Sequence, residues 1–104
     1  MKVVALVPDL MDRSKVAAAA PGAKFVARAG DLAGAATDAD VVVVDLSRPG
    51  VVEALPALVA TGVRVVGFGS HVDRATLTAA ADSGAEAMAR SEFFRRLAEL
   101  LPAD

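Results

Sequence analysis

The stretch of sequence that decides the fold is Val41-Val42-Val43-Val44-Asp45, a run of β-branched residues that ends in a carboxylate. Such a run predicts a strand that is buried on both faces, as the central strands of parallel sheets are. In open α/β sheets, ligands bind beyond the carboxyl ends of the strands, at the point where the strand order reverses. Asp45 is therefore the first candidate functional residue, although an aspartate at such a position also commonly caps the following turn.

Further apolar runs with strand character recur along the chain, and alanine-rich or helical-period segments separate them. The predicted strands are Val3 to Val7, Lys24 to Ala27, Val41 to Val44, Val63 to Phe68 and Ala85 to Ala89. This alternation is typical of βα units that wind a parallel sheet. We therefore expect an α/β protein with about five strands and five helices.

The first three predicted helices have start and stop signals. Asp9 is the expected N-cap of a helix that stops at Pro21-Gly22. A short second helix is expected over Asp31 to Ala36. The third, Val51 to Ala60, contains Pro56, which is expected to kink it or to divide it into two pieces.

The fourth helix has the most signals. Ser70 and Asp73 have the spacing of a capping box, in which the serine would start the helix. Leu77 and Ala81 share one face of this helix, and Gly84 supplies the positive-φ stop.

The last helix is expected to follow Ser91, which would be its cap. Phe94, Leu97 and Leu101 form one apolar stripe that would pack against the sheet. Phe93 lies off that stripe, at its margin.

Length and composition limit the class of protein. The chain has 104 residues and 55% hydrophobic content, which fits one domain over residues 1–104. The net charge is −2 and the basic residues are scattered, so no basic stripe is present for nucleic acid. The apolar N-terminus is too short for a signal peptide, and no segment approaches the roughly 18 apolar residues that cross a bilayer. We therefore expect a soluble protein. Because cysteine is absent, we exclude disulfides and thiolate chemistry and expect a cytoplasmic location.

The order of the predicted strands and helices, together with two motifs, resembles the receiver domain of bacterial response regulators. Asp45 is followed four residues later by Pro49, and Ala80-Ala81-Asp82-Ser83-Gly84-Ala85 precedes the last strand. The resemblance extends from Val3 to about Leu101. It implies a flavodoxin-like (βα)5 three-layer sandwich, whose parallel five-stranded sheet has the order 2-1-3-4-5.

The resemblance also implies a phosphorylation site at the ends of the first and third strands. Receivers accept a phosphoryl group on the aspartate that Asp45 matches, and an acidic pair after the first strand holds a divalent cation. That pair falls here at Pro8-Asp9, and proline cannot be a ligand. Asp12, one helical turn later, is a substitute, so Asp9, Asp12 and Asp45 are the candidate Mg²⁺ ligands. Asp9 and Asp12 are also explained as first-turn acids that favour the helix dipole.

The two positions of the receiver pattern that contact the phosphoryl group, a hydroxyl residue and a lysine, are also altered. The hydroxyl residue after the fourth strand aligns with Gly69, so Ser70 serves only if the loop shifts by one residue. The lysine after the fifth strand falls at Arg90-Ser91, and arginine is not interchangeable with lysine at such a site. Ser70 and Arg90 are the candidates to contact a phosphoryl group, and the sequence resembles a degenerate, or pseudo-, receiver.

Receivers commonly pair or signal through the fourth helix, the fifth strand and the fifth helix. The matching face here carries arginines beside an aromatic residue, a composition typical of interface cores. The candidate interface residues are Arg90, Phe93, Arg95 and Arg96. His71, the single histidine, lies in the loop beside the crevice and is expected to be a solvated side chain rather than a catalytic one.

The preferred interpretation is a pseudo-receiver-like signalling module that acts by protein contacts, with itself or with another protein. It is not an enzyme, and it needs no cofactor. The first alternative is a functional receiver in which Asp45 accepts phosphate with Mg²⁺. The second is a small-molecule binding module that uses the crevice at the C-terminal end of the sheet.

Overall fold

Strand β3, Val41–Asp45, lies in the middle of one parallel sheet, and all five of its residues are buried. The computed structural model describes residues 1–102, so Ala103 and Asp104 of the predicted domain 1–104 lie outside the described residues. The sheet has the order β2-β1-β3-β4-β5 and every pairing is parallel. The other strands are β1 (Val3–Leu6), β2 (Lys24–Phe25), β4 (Arg64–Gly69) and β5 (Glu86–Ala89). The predicted fold class and strand order are confirmed.

Six α-helical segments connect and cover the strands of the described chain. They are α1 (Leu10–Ala19), α2 (Leu32–Ala35), α3 (Val51–Ala60), α4 (Arg74–Asp82), α5 (Arg90–Arg95) and α6 (Leu97–Leu100). Short 3₁₀ turns, Ala29–Asp31 and Ala36–Asp38, flank α2. Within residues 1–102, no helix has the length and apolar character needed to cross a membrane.

The helices form a layer on each face of the sheet. Because side chains of a strand alternate between faces, Val42 and Val44 belong to the core cluster that contains the buried residues of α2, α3 and α4. Val41 and Val43 belong to the second cluster, which contains the buried residues of α1, α5 and α6. The valine run is therefore apolar throughout because both of its faces are covered.

Helix α3 runs from Val51 to Ala60 with Pro56 inside it, so the expected division into two pieces is wrong. The proline ring removes only one internal hydrogen bond, and the helix is held on both sides of it by packing. Leu55 and Leu58, which flank the proline, are both buried in the core.

Helix α4 begins later than the capping-box spacing predicts. Its N-cap is Asp73, whose Oδ1 accepts a hydrogen bond from the backbone N–H of Thr76 at 3.2 Å. Ser70 instead opens a turn, since its carbonyl oxygen accepts from the N–H of Asp73 at 3.0 Å. The chain needs this turn to leave the sheet before it can start the helix. The buried residue of the helix is Ala80, not Ala81.

The last helical region also differs from the sequence prediction. Helix α5 starts at Arg90 with Ala89 as its N-cap, so Ser91 lies inside the helix and is exposed. The helix ends at Arg95 and a second short helix follows. The predicted stripe of Phe94, Leu97 and Leu101 packs in the core beside the sheet, as expected. Phe93 is fully buried in the same cluster, so its predicted place at the margin is wrong.

A forked ion pair ties the N-terminal edge of the sheet together. Arg64 on β4 donates from Nε and Nη2 to the two carboxylate oxygens of Glu86 on β5, at 2.5 and 3.0 Å. Its Nη1 donates to the carbonyl oxygen of Leu100 at 3.1 Å, which holds α6 against the same strands. The hydrogen bonds from Arg64 lower the pKa of Glu86 below its ordinary value of 4.5.

We expect Glu86→Gln to make stability less dependent on pH in acid. Because the pKa of Glu86 is lower in the folded state, its contribution is complete above about pH 4.5 and is lost as the pH falls through the folded-state pKa. The pair is exposed, so the loss at neutral pH should be below about 1 kcal/mol. Urea unfolding at about pH 7 and pH 3.5 measures both effects. Glu53→Gln, an exposed change on α3, is the control, and an equal change of pH dependence in both variants would contradict the expectation.

Candidate functional site

The C-terminal ends of the strands meet at one edge of the sheet. The tips of β1 and β3 are neighbours, because Leu6 is in register with Val44. On the other side of β3, Asp45 is in register with Phe68 of β4. The strand order reverses between β1 and β3, so the crevice beyond their tips is the place where open α/β sheets bind ligands.

Asp45 lies at the end of β3 and is only 6% exposed. Its Oδ1 accepts hydrogen bonds from the backbone N–H and the hydroxyl of Ser47, at 3.0 and 2.7 Å. Its Oδ2 accepts from Nε of Arg48 at 3.2 Å. Both carboxylate oxygens therefore have partners within three residues, which is the turn-capping use that the sequence left open.

Asp9 is the N-cap of α1, as predicted. Its Oδ1 accepts from the backbone N–H groups of Met11 and Asp12, both at 3.0 Å. The hydrogen bond from the Asp12 amide is the main cause that lowers the pKa of Asp9, and the charges of Arg90 and Arg48 lower it further. Asp9 is exposed, so its carboxylate meets solvent as well as the helix end.

Asp12 is fully buried and forms a forked ion pair with Arg90. Nη1 and Nη2 of Arg90 donate to the two different oxygens of the carboxylate, in the bidentate geometry that suits arginine. These hydrogen bonds raise the pKa of Arg90 above its ordinary value. The pair joins the first turn of α1 to the first residue of α5, across the crevice.

The three predicted Mg²⁺ ligands do not form a cluster. Asp9 caps a helix, Asp12 is bound by Arg90, and Asp45 is bound by Ser47 and Arg48. Within residues 1–102, no group of three or more histidine, cysteine, aspartate or glutamate side chains is placed to hold a metal ion. The acidic residues therefore do not fit a Mg²⁺ site in this arrangement, and Mg²⁺ binding remains a prediction of the phosphoacceptor alternative.

A cavity of about 380 Å³ opens above Asp45. It brings together Asp45, Ser70, His71 and Arg90, four of the residues that the sequence singled out. Its lining is Asp45, Ser47, Phe68, Gly69, Ser70, His71, Ala89, Arg90 and Ser91. The walls thus carry three serine hydroxyls, one imidazole and one guanidinium around a carboxylate that is already paired.

The sequence did not single out Ser47 and Arg48. Their signal is position, because a serine two residues after an aspartate at a strand end is the spacing of an aspartate-capped turn. Arg48 then falls where its guanidinium can reach the second carboxylate oxygen. The pairing of Asp12 with Arg90 has no such local signal, since the two residues are 78 positions apart.

The predicted basic interface is smaller than the sequence indicates. Phe93 is buried against Phe68, and Arg90 is directed to Asp12. Arg96 donates to Glu99 and Glu92 at 3.0 and 2.8 Å, and these carboxylates raise its pKa. Arg95 is exposed. Of the four predicted interface residues, Arg95 is the one that presents its charge on the surface with no ion pair to another residue of the described range 1–102.

Comparison with known proteins finds likeness in structure. No protein-family model matches the chain, and no curated protein matches its sequence. The BeF3-activated receiver domain of DrrB superposes with a TM-score of 0.75 over 98% of this chain and 97% of its own. The chain has the fold of a receiver domain. At 17% identity, that likeness concerns the fold.

Two further structures have the same receiver fold. The signal receiver domain of the putative response regulator NarL from Mycobacterium tuberculosis gives a TM-score of 0.72 at 17% identity, over 99% of this chain and 97% of that one. NtrX from Brucella abortus, solved in complex with ADP, gives 0.70 at 17% identity over 96% of this chain and 26% of its own. The receiver resemblance of the sequence is thereby confirmed at the level of fold.

Proposed function

We propose that this chain is a response regulator-like signalling module that acts by protein contacts and whose phosphorylation pocket is eroded. The observation that carries the proposal is the ion pair between the buried Asp12 and Arg90. It occupies the acidic side of the crevice with an arginine. On this proposal the module is not an enzyme, needs no cofactor and works in the cytoplasm.

The chemistry of phosphoryl transfer supports the proposal. A carboxylate that attacks a phosphoryl group must overcome charge repulsion, and a divalent cation normally neutralises the charge that develops. Pro8 offers no oxygen from its side chain, and the carboxylate of Asp12 is bound by Arg90. The lone pairs of Asp45 already accept hydrogen bonds from Ser47 and Arg48. On this proposal, the carboxylate of Asp45 is held by its hydrogen bonds, and Arg90 occupies the place of the divalent cation that would assist phosphoryl transfer.

The protein contact would use the sheet edge formed by β5 and the helices beside it. β5 is an edge strand of the sheet, and an edge strand offers backbone groups to a partner chain. Arg95 and Arg74 lie exposed on the adjacent helices α5 and α4. The partner that we propose is a second copy of this chain, paired through this edge.

We expect the wild type to sediment as a dimer at concentrations of tens of micromolar, and Arg95→Glu to weaken the dimer by about tenfold or more, because it changes both the shape and the charge of a side chain in the proposed contact. Lys24→Glu is the matched control, since it makes the same exposed charge change on β2, at the opposite edge of the sheet. Sedimentation velocity over a concentration series measures the effect. A monomeric wild type, or equal weakening by both changes, would contradict the proposed contact.

The phosphoacceptor alternative keeps one observation in its favour. Asp45, Ser70 and Arg90 line the same cavity, as a nucleophile and two phosphoryl contacts would have to. In that alternative Asp9 and Asp12 hold Mg²⁺, which requires Arg90 to release Asp12. A phosphoryl adduct on Asp45 after incubation with acetyl phosphate and Mg²⁺ would favour this alternative over the proposal.

The small-molecule alternative is favoured by the size of the cavity. About 380 Å³ lies at the lower end of the range for ligand pockets, and hydroxyls dominate its polar walls. A thermal-shift screen with nucleotides and small anions tests it, and an increase in melting temperature that Ser70→Ala abolishes would support it.

A further inference from the structure

We propose that the guanidinium group of Arg90 takes the place of the divalent cation in the crevice of this receiver fold, so that the wild-type protein binds no Mg²⁺ there. The crevice would then be neutralised permanently by the chain itself. This inference rests on the proposed function, because both treat the crevice as an eroded phosphorylation pocket. It adds what replaced the cation and how the replacement can be reversed.

The first argument is the burial of Asp12. Its side chain is 0% exposed, and a buried carboxylate is stable only when a partner compensates its charge. Arg90 supplies that partner in full, since each carboxylate oxygen accepts from one of its terminal nitrogens. Among the described residues, no buried side-chain oxygen or nitrogen lacks a hydrogen-bond partner. The charge of this carboxylate is therefore already balanced, and both of its oxygens are engaged, without a metal ion.

The second argument is that the positive charge of Arg90 lies among the three candidate acids. Asp12, Asp9 and Asp45 all act electrostatically on Arg90, and Asp12 is the one that forms an ion pair with it. These are the same three acids that the sequence offered as Mg²⁺ ligands. Arg48 adds a second positive charge, paired with Asp45. A divalent cation that entered would have to approach two guanidinium groups.

The third argument is that Arg90 is held in place. Its guanidinium carbon lies 5.1 Å from the ring centroid of Phe94 and 6.0 Å from that of Phe68, within the range of cation–π contacts. Its backbone is fixed as well, because α5 begins at this residue directly after β5. A flexible surface arginine would exchange with an ion, whereas this one is positioned by two aromatic rings and a buried carboxylate.

The test compares four proteins by thermal unfolding in EDTA and in about 10 mM MgCl₂, with NaCl added to equalise ionic strength. They are the wild type, Arg90→Ala, the double variant Asp12→Asn with Arg90→Ala, and the control Arg28→Ala, which removes an exposed arginine that does not line the crevice. Mn²⁺ binding, followed by the loss of the free-ion signal in electron paramagnetic resonance, gives a second readout.

The expected results differ in direction among the variants. The melting temperature of the wild type and of Arg28→Ala should not respond to Mg²⁺. Arg90→Ala should melt on the order of 10 °C lower in EDTA, because it leaves Asp12 buried without a partner, and Mg²⁺ should restore part of the loss. Asp12→Asn should raise the melting temperature of Arg90→Ala and abolish its response to both ions.

Three results would overturn the inference. They are Mn²⁺ binding by the wild type that the double variant lacks, an Arg90→Ala variant that gains no response to Mg²⁺, and a double variant that is no more stable than Arg90→Ala. If Arg90→Ala does not fold, Arg90→Gln replaces it, and the wild-type Mn²⁺ measurement remains decisive. The proposed function fails by other results, a monomeric wild type or a phosphoryl adduct on Asp45.

Discussion

Phe93→Ala should lower the free energy of unfolding by about 3–5 kcal/mol. Phe93 is fully buried, and its ring stacks on that of Phe68 with centroids 4.7 Å apart. It also meets the edge of Phe94 at 4.9 Å. Truncation would remove the apolar contacts of a whole ring and leave a cavity between α5 and the sheet.

Urea unfolding followed by far-ultraviolet circular dichroism measures this loss, since the chain has no tryptophan. Phe94→Ala is the matched control, because its ring belongs to the same aromatic cluster but is only half-buried. It should cost about half as much or less. A loss below about 1 kcal/mol for Phe93→Ala would return Phe93 to the surface, where the sequence alone placed it.

The second large effect is expected at Gly84, the residue that ends α4. Its φ is +98°, a backbone conformation that residues other than glycine rarely adopt. A Cβ at this position would also lie 2.8 Å from Cγ1 of Val59 on α3. Gly84→Ala should therefore destabilise the protein by about 3 kcal/mol, from backbone strain and from overpacking together.

Gly62→Ala separates these two causes. Gly62 has a similar φ of +91°, but a Cβ there would meet nothing within 4 Å. This variant should lose only about 1 kcal/mol, from strain alone. Urea unfolding of both variants gives the difference, which measures the close approach of α3 to the turn after α4. Equal losses in the two variants would contradict the role of Val59.

The sheet could be predicted from sequence because its signals are local and repeated. The valine run of β3 is apolar at every position since both faces are covered, as they also are for β1 and most of β4. Asp9 and Gly84 mark the start of α1 and the end of α4 for reasons that lie within one helical turn. Such signals do not depend on how distant parts of the chain pack.

The errors arose where tertiary packing decides the outcome. The stripe of Phe94, Leu97 and Leu101 does pack in the core on this face of the sheet, but the last helix is broken after Arg95, and Phe93 is buried in the same cluster. The pattern Ser70–Asp73 is a capping box by spacing, yet the chain uses these residues as a turn that leads out of the sheet. A capping box and a turn are both compatible with the local sequence at Ser70–Asp73, and the path of the chain as it leaves the sheet selects the turn.

The crevice is lined by four of the residues that the sequence singled out, but neither the partners of Asp45 nor the pairing of Asp12 with Arg90 was predicted. The sequence places Asp12 shortly after the first strand and Arg90 directly after the fifth. It predicts Asp12 as a metal ligand and Arg90 as a phosphoryl contact. Their pairing depends on a distance across the sheet edge that no spacing in the sequence encodes. The pairing changes the function that the crevice supports.

The central claim is that the crevice no longer carries out phosphoryl transfer to Asp45. Incubation with acetyl phosphate and Mg²⁺, followed by intact-mass spectrometry, tests it most directly, with a phosphorylatable receiver domain as the positive control. We expect no phosphoryl adduct on the wild type under conditions that modify the control. An adduct on the wild type that is absent from Asp45→Asn would contradict the claim.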